Sequence, residues 1–147
     1  MEIIKLIYSN TKDTDLEEIK NIGKLSLPIY YNNDSLKDVI KNNNYDILVA
    51  KKTDKILGFA ITSITEDDNI HIMSLACLPN FRRKNIGSKL IKKIKKKNKE
   101  KLITLYVQSS NNIAIEFYKK NKFIEIDYVK NYYNNLDDNN AYLFGYS

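Results

Sequence analysis

Residues 70–91 read IHIMSLACLPNFRRKNIGSKLI, and this stretch decides the fold. Ile70 to Leu78 is an apolar run of strand length. From about Asn85 to Lys97 the pattern changes to helical spacing, with Ile86, Leu90, Ile91 and Ile94 turned inward. Between the two lies Phe81-Arg82-Arg83-Lys84-Asn85-Ile86-Gly87-Ser88. The first N–H groups of a helix have no intrahelical partner, and the helix dipole adds partial positive charge there. Gly87 lets the backbone approach an anion closely, and Arg82, Arg83 and Lys84 add charge at the same corner, so the turn suits a phosphate. Neither the Walker A nor the dinucleotide glycine pattern is complete. A basic helix start with Gly87 packed against a neighbour shares the same spacing.

Outward from this corner, the chain alternates short strands and helices. Strands are expected at Ile3 to Ile7, Tyr45 to Lys52, Ile56 to Ile64, Ile70 to Leu78, Leu102 to Val107, Phe123 to Tyr128 and Ala141 to Tyr146. Thr14-Asp15-Leu16-Glu17 has the form of a capping box, opening a helix with Leu16, Ile19, Ile22 and Leu25 on one face. Pro28 ends that helix. Further helices are expected from Ser35 to about Lys41, Asn85 to Lys97 and Asn111 to Asn121. The order β-α-α-β-β-β-α-β-α-β-β describes one α/β domain over residues 1–147, largely antiparallel in its first half. The strand–helix–strand unit from Ile70 to Val107 is expected to be a parallel crossover.

Composition narrows the classes. A chain of 147 residues with 43% hydrophobic content is long enough to bury a core and is not a disordered tail. Cys77 is the sole cysteine, so no intrachain disulfide can form. No apolar run spans a bilayer, and Glu2 and Lys5 interrupt the opening apolar stretch against a signal peptide. A soluble, cytoplasmic, reducing setting follows as the expectation. The net charge of +6 sits within Lys92 to Lys101, where seven Lys accompany one Glu, so the remainder balances at 17 basic against 17 acidic residues. A dispersed surface for specific nucleic acid is not what this describes. With 22 Lys to 2 Arg, the adjacent pair Arg82 and Arg83 stands out.

The corner resembles motif A of the GNAT superfamily of N-acetyltransferases, Arg/Gln-x-x-Gly-x-Gly/Ala, with Arg82, Asn85 and Gly87 at its three positions. Asn85 stands for the usual Gly and tolerates left-handed backbone. Asn111 to Phe123 resembles the family's Asn-x-x-Ala-x-x-x-Tyr-x-x-x-Gly-Phe segment, with Lys122 in place of the helix-ending Gly. The resemblance implies a single mixed sheet of about seven strands flanked by four helices, and acetyl-CoA as cosubstrate with no metal. Its pyrophosphate would lie on Arg82, Arg83, Lys84, Asn85, Ile86, Gly87 and Ser88, its thioester against Leu75, Cys77 and Leu78, and its pantetheine arm against Asn111. Tyr118 would serve the departing thiolate.

Within the superfamily, Leu27 to Tyr31, Ile72 to Leu78, Tyr106 to Gln108 and Asn131 to Tyr133 resemble the NatE-type N-terminal α-acetyltransferases, which favour a retained Met followed by a hydrophobic residue. The resemblance implies that Leu27, Pro28, Ile29, Tyr31 and Met73 line the acceptor pocket and that Tyr132, Tyr133 and Leu136 close it. Those relatives carry a Tyr on the strand entering motif A and a His on the strand before motif B; here His71 and Tyr106 are exchanged. Strand alternation puts His71 with Met73 and Leu75, and Tyr106 with Thr104 and Gln108. His, ordinarily titrating near 6.5, suits removal of the acceptor proton better than Tyr near 10. Expected partners are nascent or mature protein N termini, an auxiliary subunit of an N-terminal acetyltransferase complex and the ribosome. The lysine run fits a solvated helix face, a contact to the coenzyme's 3′-phosphate or docking on ribosomal RNA. A lysine or small-amine acetyltransferase and a catalytically silent scaffold share these motifs.

Overall fold

The computed structural model describes residues 1–147, except the side chain of Arg83. Seven strands form one sheet: β1 (Glu2–Leu6), β2 (Tyr45–Lys52), β3 (Lys55–Ile64), β4 (Ile70–Cys77), β5 (Ile103–Gln108), β6 (Ile124–Val129) and β7 (Ala141–Tyr146). Their spatial order is β1-β2-β3-β4-β5-β7-β6. All neighbours are antiparallel except β4 and β5, which are parallel as expected. Four α-helices cover the faces: α1 (Asp13–Ser26), α2 (Asn33–Lys41), α3 (Ile86–Lys97) and α4 (Asn112–Lys120).

Strand alternation divides the core into two layers. Ile47 and Val49 of β2 point toward Leu16, Ile19, Ile22 of α1 and Leu36, Val39 of α2. Leu48 and Ala50 point the other way, toward Ile86, Leu90, Ile91, Ile94 of α3 and Ile115 of α4. The four inward residues expected of α3 are all buried. Each such aliphatic side chain contributes about 1.5–3 kcal/mol through burial.

The first helix differs from the sequence expectation at both ends. It starts at Asp13, and the reciprocal cap is the Asp15 carboxylate accepting from the Lys12 backbone N–H at 2.9 Å. Asp15 is buried beside the Lys51 ammonium at 3.3 Å, so the helix start is drawn in around the carboxylate, not around Thr14. Leu25 is 64% exposed. Residues spaced by three lag about 60° per step at 100° per residue, so the stripe from Leu16 has turned away by Leu25. Gly23 is buried there instead, close under Tyr30 Cβ. Helix α2 begins at Asn33 with Asn32 accepting from the Ser35 N–H, ahead of the expected Ser35 start.

Gly58 on β3 seats the start of α3. A Cβ at this position would lie 2.8 Å from Ile86 Cγ2 and 3.0 Å from the Ala76 carbonyl oxygen. Gly58→Ala is therefore expected to destabilise the chain by about 1–3 kcal/mol through overpacking, read as a lower urea midpoint at unchanged slope. An unchanged midpoint would show that α3 is not seated against this strand.

Candidate active site

The site begins with an irregularity in β4. Ser74 pairs with Ile61 and Ile72 with Thr62, so Met73 has no partner on β3 and forms a bulge. One extra residue exchanges the faces of everything after it and bends the strand. Ile70 and Ile72 pack in the α3/α4 layer, but beyond the bulge Ala76 belongs to the α1/α2 layer while Leu75 and Cys77 pack with α3/α4. The expectation that His71, Met73 and Leu75 share a face is thus corrected: His71 and Leu75 lie on opposite faces.

The bend also ends the contact with β5. Pairing runs from Ile70↔Ile103 to Ile72↔Leu105 and stops, leaving the two parallel strands splayed. The Leu78 N–H donates to the Leu57 carbonyl on β3 at 2.8 Å. Alternation of strand amides then turns the peptide groups of Leu75 and Cys77 away from β3, into the splay. The Cys77 carbonyl accordingly accepts from Ser26 Oγ at 3.1 Å. Leu78, expected beside the thioester with Leu75 and Cys77, differs from them in that its N–H is already taken up by β3.

A cavity of about 550 Å³ fills the opening. Leu27, Pro28, Ile29 and Tyr31 follow α1 into its wall, with Met73 at the bulge and Tyr132 and Tyr133 opposite. Leu136, expected to close the pocket, is not among the lining residues; its backbone N–H donates to Asn139 Oδ1 in a turn of the same loop. Tyr30, Gln108 and Asn134 line the cavity without having been singled out in the sequence.

His71 and Tyr106 meet across the strand junction on the α1/α2 side, ring centroids 5.3 Å apart and tilted by 57°. Tyr132 stacks on Tyr106 at 4.0 Å and meets Tyr133 edge-on at 4.9 Å. Burial holds the His71 imidazole below its ordinary value, so the ring is neutral near pH 7. Burial, with Tyr132 and Asp138 nearby, pushes the Tyr133 phenol up to about 12. Tyr118 reaches the cavity from α4, edge-on to Phe117 at 5.2 Å and Phe123 at 5.9 Å. Burial raises its phenol, so it remains protonated. Asn111 lines the same side, its Oδ1 accepting from the Ala114 N–H as the cap of α4, which leaves the amide nitrogen for a ligand.

At the start of α3, Asn85 is left-handed (φ 60°, ψ 24°), and Lys122 is left-handed at φ 73° after α4. Both stand where the family places glycine. The first helical bond is Lys89 N–H to the Asn85 carbonyl at 2.9 Å, so the N–H groups of Ile86, Gly87 and Ser88 precede it. Ile86 contributes only backbone, because its side chain is 1% exposed. A Cβ on Gly87 would sit 2.8 Å from Phe117 Cζ, so any side chain here has to displace the Phe117 ring of α4. Arg82 Nη2 donates to Ser26 Oγ at 3.3 Å, tying the corner to the end of α1. Lys84 Nζ lies 5.6 Å from the Phe81 ring centre. The Arg83 side chain lies outside the described residues. Among the described residues no three His, Cys, Asp or Glu side chains gather as a metal site, and no helix is long and apolar enough to cross a membrane.

One anchor escaped the sequence reading. Asp138 accepts from Ser109 Oγ at 2.7 Å, the Ser110 N–H at 2.8 Å and the Asn140 N–H at 3.0 Å, fastening the Tyr132–Tyr133 loop to the end of β5. No local pattern marks a contact spanning some thirty residues.

The acetyltransferase (GNAT) family profile matches residues 15–123. N-alpha-acetyltransferase 50 of Danio rerio is 30% identical over 136 residues, covering 88% of this chain and 80% of that protein. An N-alpha-acetyltransferase of Sulfurisphaera tokodaii is 30% identical over 149 residues, 91% of this chain and 88% of its own. The structure of Arabidopsis thaliana Naa50 in complex with the bisubstrate analogue CoA-Ac-MVNAL is similar at a TM-score of 0.76 and 26% identity, covering 100% of this chain and 99% of that one.

The Ser109 hydroxyl, the Asn140 N–H and Ser110 hold the Asp138 carboxyl at about 2, below the ordinary 3.9 or so of an unfolded aspartate. A depressed folded value means stabilisation that is present above pH ~4 and lost as pH falls toward ~2. Asp138→Ala is expected to lower Tm by several degrees near neutral pH, with the gap to wild type closing on acidification through that window. An equal Tm near pH 7 would remove the anchor from the account.

Proposed function

The chain belongs to the acetyltransferase (GNAT) family, and on that premise we propose that it acetylates the α-amino group of polypeptide N termini, most readily those beginning with Met. It is an N-acetyltransferase with acetyl-CoA as donor. The observation that carries the acceptor assignment is the tyrosine-lined cavity open at the splay, with an imidazole and a phenol in contact beside it. Leu27, Pro28, Ile29 and Met73 give that cavity an apolar wall suited to a first side chain such as Met. Tyr31, Tyr132 and Tyr133 flank the chain behind it.

Acetyl-CoA supplies an activated acyl carbon, and the residues at the splay fit it: two inward-turned amides, a helix N-terminus and Arg82 with Lys84 beside that helix. An α-amine with an ordinary value near 7.7–8.0 is largely protonated at neutral pH. His71, neutral there, removes that proton, and Tyr106 orders the path between them. The amine lone pair then forms the C–N bond as the C–S bond breaks. Amides of Leu75 and Cys77 stabilise the charge that grows on the carbonyl oxygen. Tyr118 passes its phenolic proton to the leaving sulfur and regains one from the amine nitrogen.

A NatE-type role and cytoplasmic setting complete the proposal, supported by the named relatives and the free thiol of Cys77. Its partners are nascent or mature N termini, an auxiliary subunit of an N-terminal acetyltransferase complex, and the ribosome. Supporting the last, Lys92, Lys96 and Lys99 are exposed, while Lys95 donates to the Asn121 carbonyl and Lys97 and Lys101 pair with Asp46 and Asp68.

The test is acetyl transfer to peptides beginning Met-Leu, Ser or Ala, beside a blocked peptide with an internal lysine. The Met-Leu peptide should react fastest, and His71→Phe and Tyr106→Phe should each lower kcat by about 10²–10⁴. Preferred reaction at the internal lysine, or wild-type turnover in both variants, would contradict the assignment.

A further inference from the structure

His71 has a partner that does not line the cavity. Parallel pairing of β4 with β5 lasts three residue pairs, and His71↔Thr104 is the middle one. Thr104 Oγ1 lies 2.7 Å from His71 Nδ1, on the far side of the ring from Nε2. With Nδ1 tied back into the sheet, Nε2 is the nitrogen offered to the cavity that His71 lines.

A histidine acting as a base needs one nitrogen unprotonated and the other held by a partner, a role often filled by a carboxylate. None does so here. The ionisable groups around the ring are phenols: Tyr106 from β5, Tyr132 stacked on it, and Tyr30, Tyr31, Tyr118 and Tyr133 around the cavity. From β3, Ser63 stands opposite His71 in register. Among the described residues, no Asp, Glu, Lys or Arg lines the cavity.

We propose that Thr104 is a positioning residue, its hydroxyl oxygen accepting from Nδ1–H and so keeping Nε2 unprotonated toward the acceptor amine. The direction of the bond follows from the proton cycle. When Nε2 takes a proton from the α-ammonium, the ring carries N–H on both nitrogens, and only an accepting oxygen keeps its bond through that change. A threonine donating into Nδ1 would lose its acceptor at each turnover. The parallel register thus does for this histidine what an acidic side chain does elsewhere, and does it without placing a negative charge beside the acceptor pocket.

This inference rests on His71 being the base, and its test separates the two. His71 is the sole histidine of the chain, so selective ¹⁵N labelling gives one imidazole whose tautomer is read directly by NMR on the acetyl-CoA-free protein. The expected result is Nδ1–H in wild type and in Thr104→Ser, shifting toward Nε2–H in Thr104→Val. Thr104→Val should lower kcat about tenfold or more at unchanged KM, with Thr104→Ser restoring it. The acid limb of its kcat/KM profile should move to lower pH, because the accepting oxygen favours the charged ring. Nε2–H in wild type, or wild-type kcat and pH profile in Thr104→Val, would overturn the role of Thr104. Full turnover in His71→Phe would instead overturn the base itself.

Discussion

A single unpaired residue in β4 sets the geometry on which the rest of the site depends. Because Met73 has no partner on β3, the strand bends and every later side chain changes face. Two consequences meet at the same point. Pairing with β5 ends after Leu105, opening the sheet, and the peptide groups of Leu75 and Cys77 are left facing the opening. A regular strand would have continued its ladder to β5 and closed the cavity. The bulge therefore supplies both a cavity and hydrogen-bond donors, and the two faces of the sheet bring different groups to it.

The two halves are held by different means. On the α3/α4 side, close contacts at glycines do the fixing: Gly58 under Ile86 and Gly87 against Phe117 set how closely the start of α3 packs on β3 and α4. On the α1/α2 side, aromatic contacts run from His71 through Tyr106 and Tyr132 to Tyr133, and Asp138 anchors the loop at their end. His71 and Tyr106 come together because β4 and β5 are adjacent and in register just before they part. Either strand can offer the imidazole to the same space, and here the strand that does so brings Thr104 opposite it.

Much of this was legible in the sequence wherever the deciding interactions are local. The order of elements, the parallel crossover and the inward face of α3 follow from periodicity, and the phosphate corner from its charge and glycine pattern. The failures share a cause. Strand alternation from His71 through Leu75 assumes a regular ladder, whereas the bulge is a matter of register with β3, which no pattern within β4 reveals. A three-residue spacing extended over three steps misplaces Leu25, and the capping pattern at Thr14 is outcompeted by the buried Asp15 carboxylate paired with Lys51. Asp138 sits in the same loop as Tyr132 and Tyr133, yet only the folded chain shows that its carboxylate grips Ser109 and Ser110.

Residue-resolved amide hydrogen exchange with and without saturating acetyl-CoA reads the open side of β4 at each amide. Slowed exchange is expected at Leu75 and Cys77, together with Ile86 to Ser88, and no change at Leu78, whose N–H is already bonded to β3. Acetyl-CoA binding that leaves Leu75 and Cys77 exchanging at their free-protein rates would contradict it.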